Sequence, residues 1–232
     1  MFPTVLITGT NRGLGLEFVR QYATTGWRVI ACCRNPHKAE ALQRLKLKHA
    51  ELLSIHELDV ADFDRIEQLA KQLSGNKIDV LINNAGIYHI GKETFASVDY
   101  EAWMEAFRVN SMAPLRMAET FIDHISASEQ RKIVNVTSKM GSIDDNTSGH
   151  HYLYRSSKTA LNMVTRSMAI DLAPRGITAI VMHTGWVQTD MGGFSAPTSV
   201  QQSIAGMCQV IDHITPKDSG KFYGYDGKEI PW

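Results

Sequence analysis

The stretch Thr8-Gly9-Thr10-Asn11-Arg12-Gly13-Leu14-Gly15 decides how the rest of the chain is read. Before it runs Thr4–Thr8, short, β-branched and apolar. After it, up to Gly26, Leu14, Phe18, Tyr22 and Ala23 recur near one helical face. The order is strand, tight loop, helix. Glycine lets a backbone turn sharply and approach a ligand with no Cβ in the way. The helix that follows aims free N–H groups and its positive dipole end at the loop, which suits a pyrophosphate. A glycine cluster alone also fits an ordinary tight turn; the flanking strand and helix favour the nucleotide reading.

The same alternation continues outward. Strands are expected at Trp27–Cys33, Leu52–Leu58, Ile78–Ile82, Lys132–Thr137, Ile177–His183 and, shorter, Phe222–Tyr225. Between them, a charged helix opens at Pro36 and runs to about His49, and Asp62 caps another to about Leu73. A long helical pattern, Tyr100–Ser126, has a break near Pro114, and a further helix, Tyr152–Ala173, stops at Pro174. This predicts one α/β domain over residues 1–232, a Rossmann-type doubly wound parallel sheet of about seven strands with helices on both faces. In such sheets ligands bind outside the carboxyl ends of the strands. Gly9, Arg34, Asp59, Asn83, Ser138 and Gly185 all directly follow predicted strands.

Composition narrows the partners. The 232 residues carry 24 basic and 24 acidic side chains, so no basic excess speaks for nucleic acid or an anionic membrane. No apolar stretch reaches the roughly 18 residues of a membrane span. A strand begins within the first ten residues, where a signal peptide would lie. Cys32, Cys33 and Cys208 make no disulfide framework and no C-x-x-C pair; the first two read as small buried strand residues. A cytoplasmic protein is expected. His150 and His151 are adjacent, but no H-E-x-x-H or cysteine cluster accompanies them, so no metal is expected.

The loop spacing, G-x-x-x-G-x-G, resembles the T-G-x-x-x-G-[IL]-G fingerprint of the short-chain dehydrogenase/reductase family. The resemblance extends through Asp59-Val60, Asn83-Asn84-Ala85-Gly86, Asn110, Ser138, Tyr154-Arg155-Ser156-Ser157-Lys158 and on to Thr189. It implies an oxidoreductase moving a hydride between a nicotinamide and a carbonyl or alcohol substrate. Gly9, Asn11, Arg12, Gly13, Leu14 and Gly15 would hold the pyrophosphate side of the cofactor, and Asp59 and Val60 would border the adenine. Asn83, Asn84, Ala85 and Gly86 would face the nicotinamide ribose, with Val187 and Thr189 near the carboxamide. An acidic residue after the second strand would accept from a ribose 2′-OH and repel a 2′-phosphate. Here Arg34 stands there, with Arg12 in the loop, and arginine forks suit phosphate oxygens. In the family, basic residues at these places mark NADP(H) over NAD(H).

Tyr154 and Lys158 are four apart on a predicted helix and so share a face. A lysine ammonium within about 4–6 Å lowers a phenol's pKa from near 10 toward the working range of a general acid/base. Tyr152 lacks a lysine at the fourth position onward, where Ser156 stands. By resemblance, Tyr154 exchanges the proton, Ser138 binds the carbonyl oxygen, and Asn110 holds a water linking Lys158 to solvent. Lys158 would also bond the nicotinamide ribose.

The serine–tyrosine gap of 16 residues, with Met140–Ile143, Asp145–Gly149, Gly185–Gly193 and Asp226–Trp232, resembles the C-factor-like and sniffer-like carbonyl reductase branch. Thr184 departs from the family's usual proline, which loosens the expected turn on the carboxamide side. A substrate loop is expected over about 185–215, its small and polar part Gly192–Gly206 acting as a flap. Trp186, Met191, Phe194 and Met207 are candidate apolar contacts for the substrate, or simple core residues. His150 and His151 are expected to flank that loop. The resemblance implies a homodimer, with a tetramer as the larger alternative. Two other functions share these features: a nucleotide-binding signalling or regulatory protein with little turnover, and an epimerase or lyase. The short region after Gly185 leaves little room for the extra domain of the last.

Overall fold

The computed structural model describes residues 2–89 and 94–232. Its seven strands are β1 (Thr4–Thr8), β2 (Arg28–Cys33), β3 (Leu53–Glu57), β4 (Val80–Asn83), β5 (Lys132–Thr137), β6 (Thr178–His183) and β7 (Phe222–Gly224). They lie in the order β3-β2-β1-β4-β5-β6-β7, and every pairing is parallel. Side chains alternate across the sheet, so Val5 and Ile7 of β1 enter one core while Leu6 enters the other. Helices α1 (Gly13–Thr24), α2 (Glu40–Lys48) and α8 (Val200–His213) are tied to the first core by Phe18, Leu42 and Met207. Helices α3 (Phe63–Gln72), α5 (Ala113–Thr120) and α7 (Tyr152–Asp171) are tied to the second by Ile66, Met117 and Met168. Each large apolar side chain so buried stabilises the fold by roughly 1.5–3 kcal/mol. The result is a single doubly wound domain.

The chain runs outward from β1 to β3, then returns to place β4 on the other side of β1. That reversal opens a crevice at the carboxyl ends of β1 and β4, where ligands of such sheets bind.

Three helical expectations change. The helix expected from Pro36 splits into a 3₁₀ turn, Pro36–Lys38, and α2, because buried Ala39 takes a non-helical φ of −91° and ψ of 62° between them. The Tyr100–Ser126 pattern becomes α4 (Tyr100–Phe107), a π-helical turn Arg108–Met112, α5, and α6 (Ile122–Ser126). Pro114 has no N–H to offer the Asn110 carbonyl and its ring crowds that carbonyl, so the ladder widens just before it. Only the last part of the expected flap, residues 200–206, is helix: α8 starts at a capping box of Ser199 and Gln202. Its small residues are close-packing positions rather than loop signals. Ser203 Oγ donates to the Thr184 carbonyl (2.6 Å), and a Cβ on Gly206 would lie 2.3 Å from the Tyr225 carbonyl oxygen. Met207 is fully buried.

Candidate active site

The glycine loop is fixed by its neighbours across the crevice. Thr8 Oγ1 accepts from the backbone N–H groups of both Asn84 and Ala85 (3.0 Å each). Asn84 Nδ2 donates back to the Thr8 and Gly9 carbonyls (2.9 and 3.2 Å). Thr8 is thus a hub of the site, a role that a threonine ending a strand does not announce. A Cβ on Gly15 would sit 2.1 Å from the Gly9 carbonyl oxygen, so only glycine lets α1 start this close to the loop. The N-cap Arg12 makes no side-chain capping bond at that start, which leaves first-turn N–H groups for an anion. The loop therefore fits a pyrophosphate.

The remaining residues expected around a cofactor divide. Arg34 and Asp59 are exposed, and Val60 is buried beneath them. Arg12 reaches across the crevice mouth to Asp190 (2.7 Å), both side chains being 72% exposed. Asn83 turns inward instead: its Nδ2 donates to Asn135 Oδ1 (2.8 Å) and the Pro114 carbonyl (3.2 Å), locking β4 to β5. Thr189 and Val187 lie on the turn after β6; Thr189 Oγ1 accepts from Gly192 N–H (3.0 Å), and its methyl is the nearest atom to a Cβ built on Gly13 (3.8 Å).

The reactive set converges beside this loop. Lys158 is 4% exposed and donates to the Val136 carbonyl (2.9 Å). Its Nζ lies 5.8 Å from the centre of the Tyr154 ring. A Cβ on Gly86 would meet Asn110 Oδ1 at 3.2 Å and Lys158 Nζ at 3.4 Å, so the asparagine, the lysine and the loop after β4 share one point. The π-turn presents Asn110, whose Oδ1 accepts from Ile87 N–H and whose Nδ2 donates to the Ile87 carbonyl (2.9 Å each). Ser138, half-buried after β5, accepts from Met140 N–H (3.2 Å) and stands near enough to Tyr154 to pull its pKa down. Ser138, Tyr154, Lys158 and Asn110 thus come together. The rival Tyr152 is more exposed, and its helical neighbour Ser156 is occupied by Trp103 Nε1 (2.7 Å).

The electrostatics differ from the expectation that Lys158 draws the tyrosine down. Tyr154 keeps part of its surface open, but the protein packed around it pushes its pKa up to about 12. Ser138 pulls the other way, and nearby Tyr88 adds to the rise. Burial pulls Lys158 down to about 8. Desolvation alone drives that fall, and the ammonium is turned to the Val136 carbonyl. The phenol is therefore protonated throughout the neutral range.

Two supports escaped the sequence reading. Arg155 donates to the Met140 and Gly149 carbonyls (3.3 and 3.2 Å) and to Ser148 Oγ (2.9 Å), clamping the loop between Ser138 and α7. Thr184, in the place of the usual proline, is anchored through its carbonyl to Ser203. On the loop beyond it Trp186, Met191 and Phe194 are exposed.

Residues 3–199 match the short chain dehydrogenase family. The chain belongs to the short-chain dehydrogenase/reductase family. This dehydrogenase is 44% identical to the C-signal of Myxococcus xanthus over 155 residues, 67% of this chain and 93% of that protein. It superposes on the carbonyl reductase Sniffer of D. melanogaster with a TM-score of 0.93, at 33% identity and with all of both chains covered. The NADPH-bound carbonyl reductase from chicken fatty liver gives the same TM-score at 35% identity, covering 100% of this chain and 99% of that one. These place the dehydrogenase, an oxidoreductase, in the carbonyl reductase branch. Among the described residues no helix is long and apolar enough to cross a membrane, and no three His, Cys, Asp or Glu side chains gather as a metal group would need.

Proposed function

We propose that the chain is an NADP(H)-dependent carbonyl reductase in which Tyr154 is the general acid/base. The observation that carries this reading is the meeting of Tyr154, Lys158, Ser138 and Asn110 at the crevice edge shared with the glycine loop. Gly9, Asn11, Gly13, Leu14 and Gly15 would hold the pyrophosphate, Asp59 and Val60 the adenine side, and Asn84, Ala85, Gly86, Val187 and Thr189 the nicotinamide side. Arg34 and Arg12 would take the 2′-phosphate and set the preference over NAD(H). When bound, the nicotinamide supplies or accepts the hydride.

The protein's own part is proton handling and orientation. Ser138 binds the substrate oxygen and steadies its developing charge. Tyr154, kept protonated by its surroundings, donates to that oxygen in reduction and takes the proton back in the reverse direction. Lys158, close to Asn110, gives the phenolate left behind a cation to face and a route to regain the proton. The loop after β6, with exposed Trp186, Met191 and Phe194, would receive the apolar part of the carbonyl compound. Tyr100, Met104, Met112, Met163 and Ile170 are exposed on α4, its π-turn and α7, the face through which a cytoplasmic homodimer would form.

The likeness to C-signal supports a second reading, a nucleotide-binding regulatory protein with little turnover. Following NADPH absorbance against aldehydes, diketones and quinones separates the two, with thermal shifts in NADPH and NADH alongside. Turnover with greater stabilisation by NADPH is expected; stabilisation without turnover on any carbonyl would favour regulation.

A further inference from the structure

Just before α7 the chain enters a conformation that side chains resist. Gly149, His150 and His151 have φ of 65°, 55° and 53°, three left-handed residues in a row, two of them not glycine. Such conformations persist only where the surroundings over-determine them, and they cluster at functional sites. Here Arg155 holds the turn from below: its backbone N–H donates to the His151 carbonyl (2.9 Å) and its Nε to that of Gly149 (3.2 Å). What the turn achieves is the direction of the His151 ring. Its Nδ1 lies 2.9 Å from the hydroxyl of Tyr88, on the loop after β4, 63 positions away. Tyr88 in turn sets its ring edge-on against Tyr154, with centres 4.8 Å apart and planes at 73°, a favourable aromatic geometry.

We propose that Tyr88 and His151 form a brace that positions Tyr154 and shields its ring from water. The brace rests on the reading of Tyr154 as the acid/base. It joins the loop that faces the cofactor side of the crevice to the start of the helix that carries Tyr154 and Lys158. Edge-on contact with Tyr88 limits the χ1 swing of the Tyr154 ring, and with it the place of the hydroxyl beside Ser138. Among the described residues, the polar and titratable groups facing Tyr154 are Ser138 after β5, Lys158 on its own helix, and Tyr88 from the β4 loop with His151 behind it. Tyr88 is the one whose ring covers it, and both are positioning residues.

The test uses the full chain, with NADPH and the best carbonyl of the panel, read as kcat and KM across pH. Reduction needs the protonated phenol, and wild-type kcat should hold level up to about pH 10 because the Tyr154 pKa lies well above that. Tyr88→Ala admits water, which favours the phenolate, so the fall in kcat should move down into the range below about pH 10. With it, kcat should drop about tenfold while KM for NADPH stays within about twofold. Tyr88→Phe keeps the ring and should leave the pH limb in place. An unmoved limb with near-normal kcat in Tyr88→Ala, or the same displacement in Tyr88→Phe, overturns the brace. Should Tyr88→Ala lose its thermal response to NADPH, His151→Ala decides: a kcat lowered about threefold or more at unchanged NADPH response supports the proposal, and an unchanged kcat overturns it. Tyr154→Phe measured in parallel keeps the two claims apart, since its undiminished turnover would remove the acid/base reading itself.

Discussion

On the β1–β2 side of the crevice the cations Arg12 and Arg34 stand in solvent, while on the β5–β6 side Lys158 is 4% exposed and Tyr154 half-buried. The first side is built from backbone: Gly9 and Gly15 in close approach, Thr8 and Asn84 tying two strand ends together. The second is built from ionisable side chains that burial has moved away from their ordinary pKa values. Exposed charge costs little to hold and gives little stability, which suits recruiting a charged ligand. Buried charge costs the fold and is kept where chemistry uses it. On the proposed function, the contrast would separate binding from reaction.

Lys158→Met should break the contrast most visibly. Turnover should fall about 10²- to 10⁴-fold, because the proton on Tyr154 loses its partner. Yet the variant should be more stable at pH 7. The folded pKa of about 8 lies below the ordinary lysine value, so below pH 8 the fold carries a buried ammonium at a cost. The unfolded chain binds that proton more readily, and wild-type stability should therefore rise between about pH 8 and 10.5. The variant should lack that rise and gain up to about 3 kcal/mol below it, as read by denaturant melts at a series of pH values. A variant less stable at pH 7 would mean that the bond to the Val136 carbonyl outweighs desolvation.

On the exposed side the effects should be smaller and confined to binding. Arg34→Ala should weaken NADPH about ten- to a hundredfold and leave NADH nearly unchanged, by titration of either nucleotide. Asp190→Asn frees Arg12 from an ion pair open to solvent, worth at most about 1 kcal/mol, so NADPH affinity should rise only a fewfold. Equal losses for both nucleotides in Arg34→Ala would take the 2′-phosphate role from that residue.

The same division explains what could be read beforehand. The glycine loop, the alternation of strands and helices and the Tyr154–Lys158 spacing follow from local rules of backbone and periodicity. What stayed hidden depends on contacts between distant segments. Asn110 sits on a π-turn because Pro114 disturbs the ladder before it, and reading the break at the proline placed it a few residues late. Helix α8 looked like a flap because Ser203 and Gly206 are small, though they are small to pack against Thr184 and Tyr225. The lysine was expected to draw the tyrosine down, but burial, which sequence does not display, drives it up. The left-handed turn at His150 and His151 has no local signal beyond Gly149.

The central claim is that Tyr154 delivers the proton. Tyr154→Phe, assayed by NADPH oxidation on the best carbonyl and by thermal shift with NADPH, tests it most directly. Turnover should fall about 10²- to 10⁴-fold while the thermal response to NADPH is kept. Full turnover by the phenylalanine variant would contradict the account.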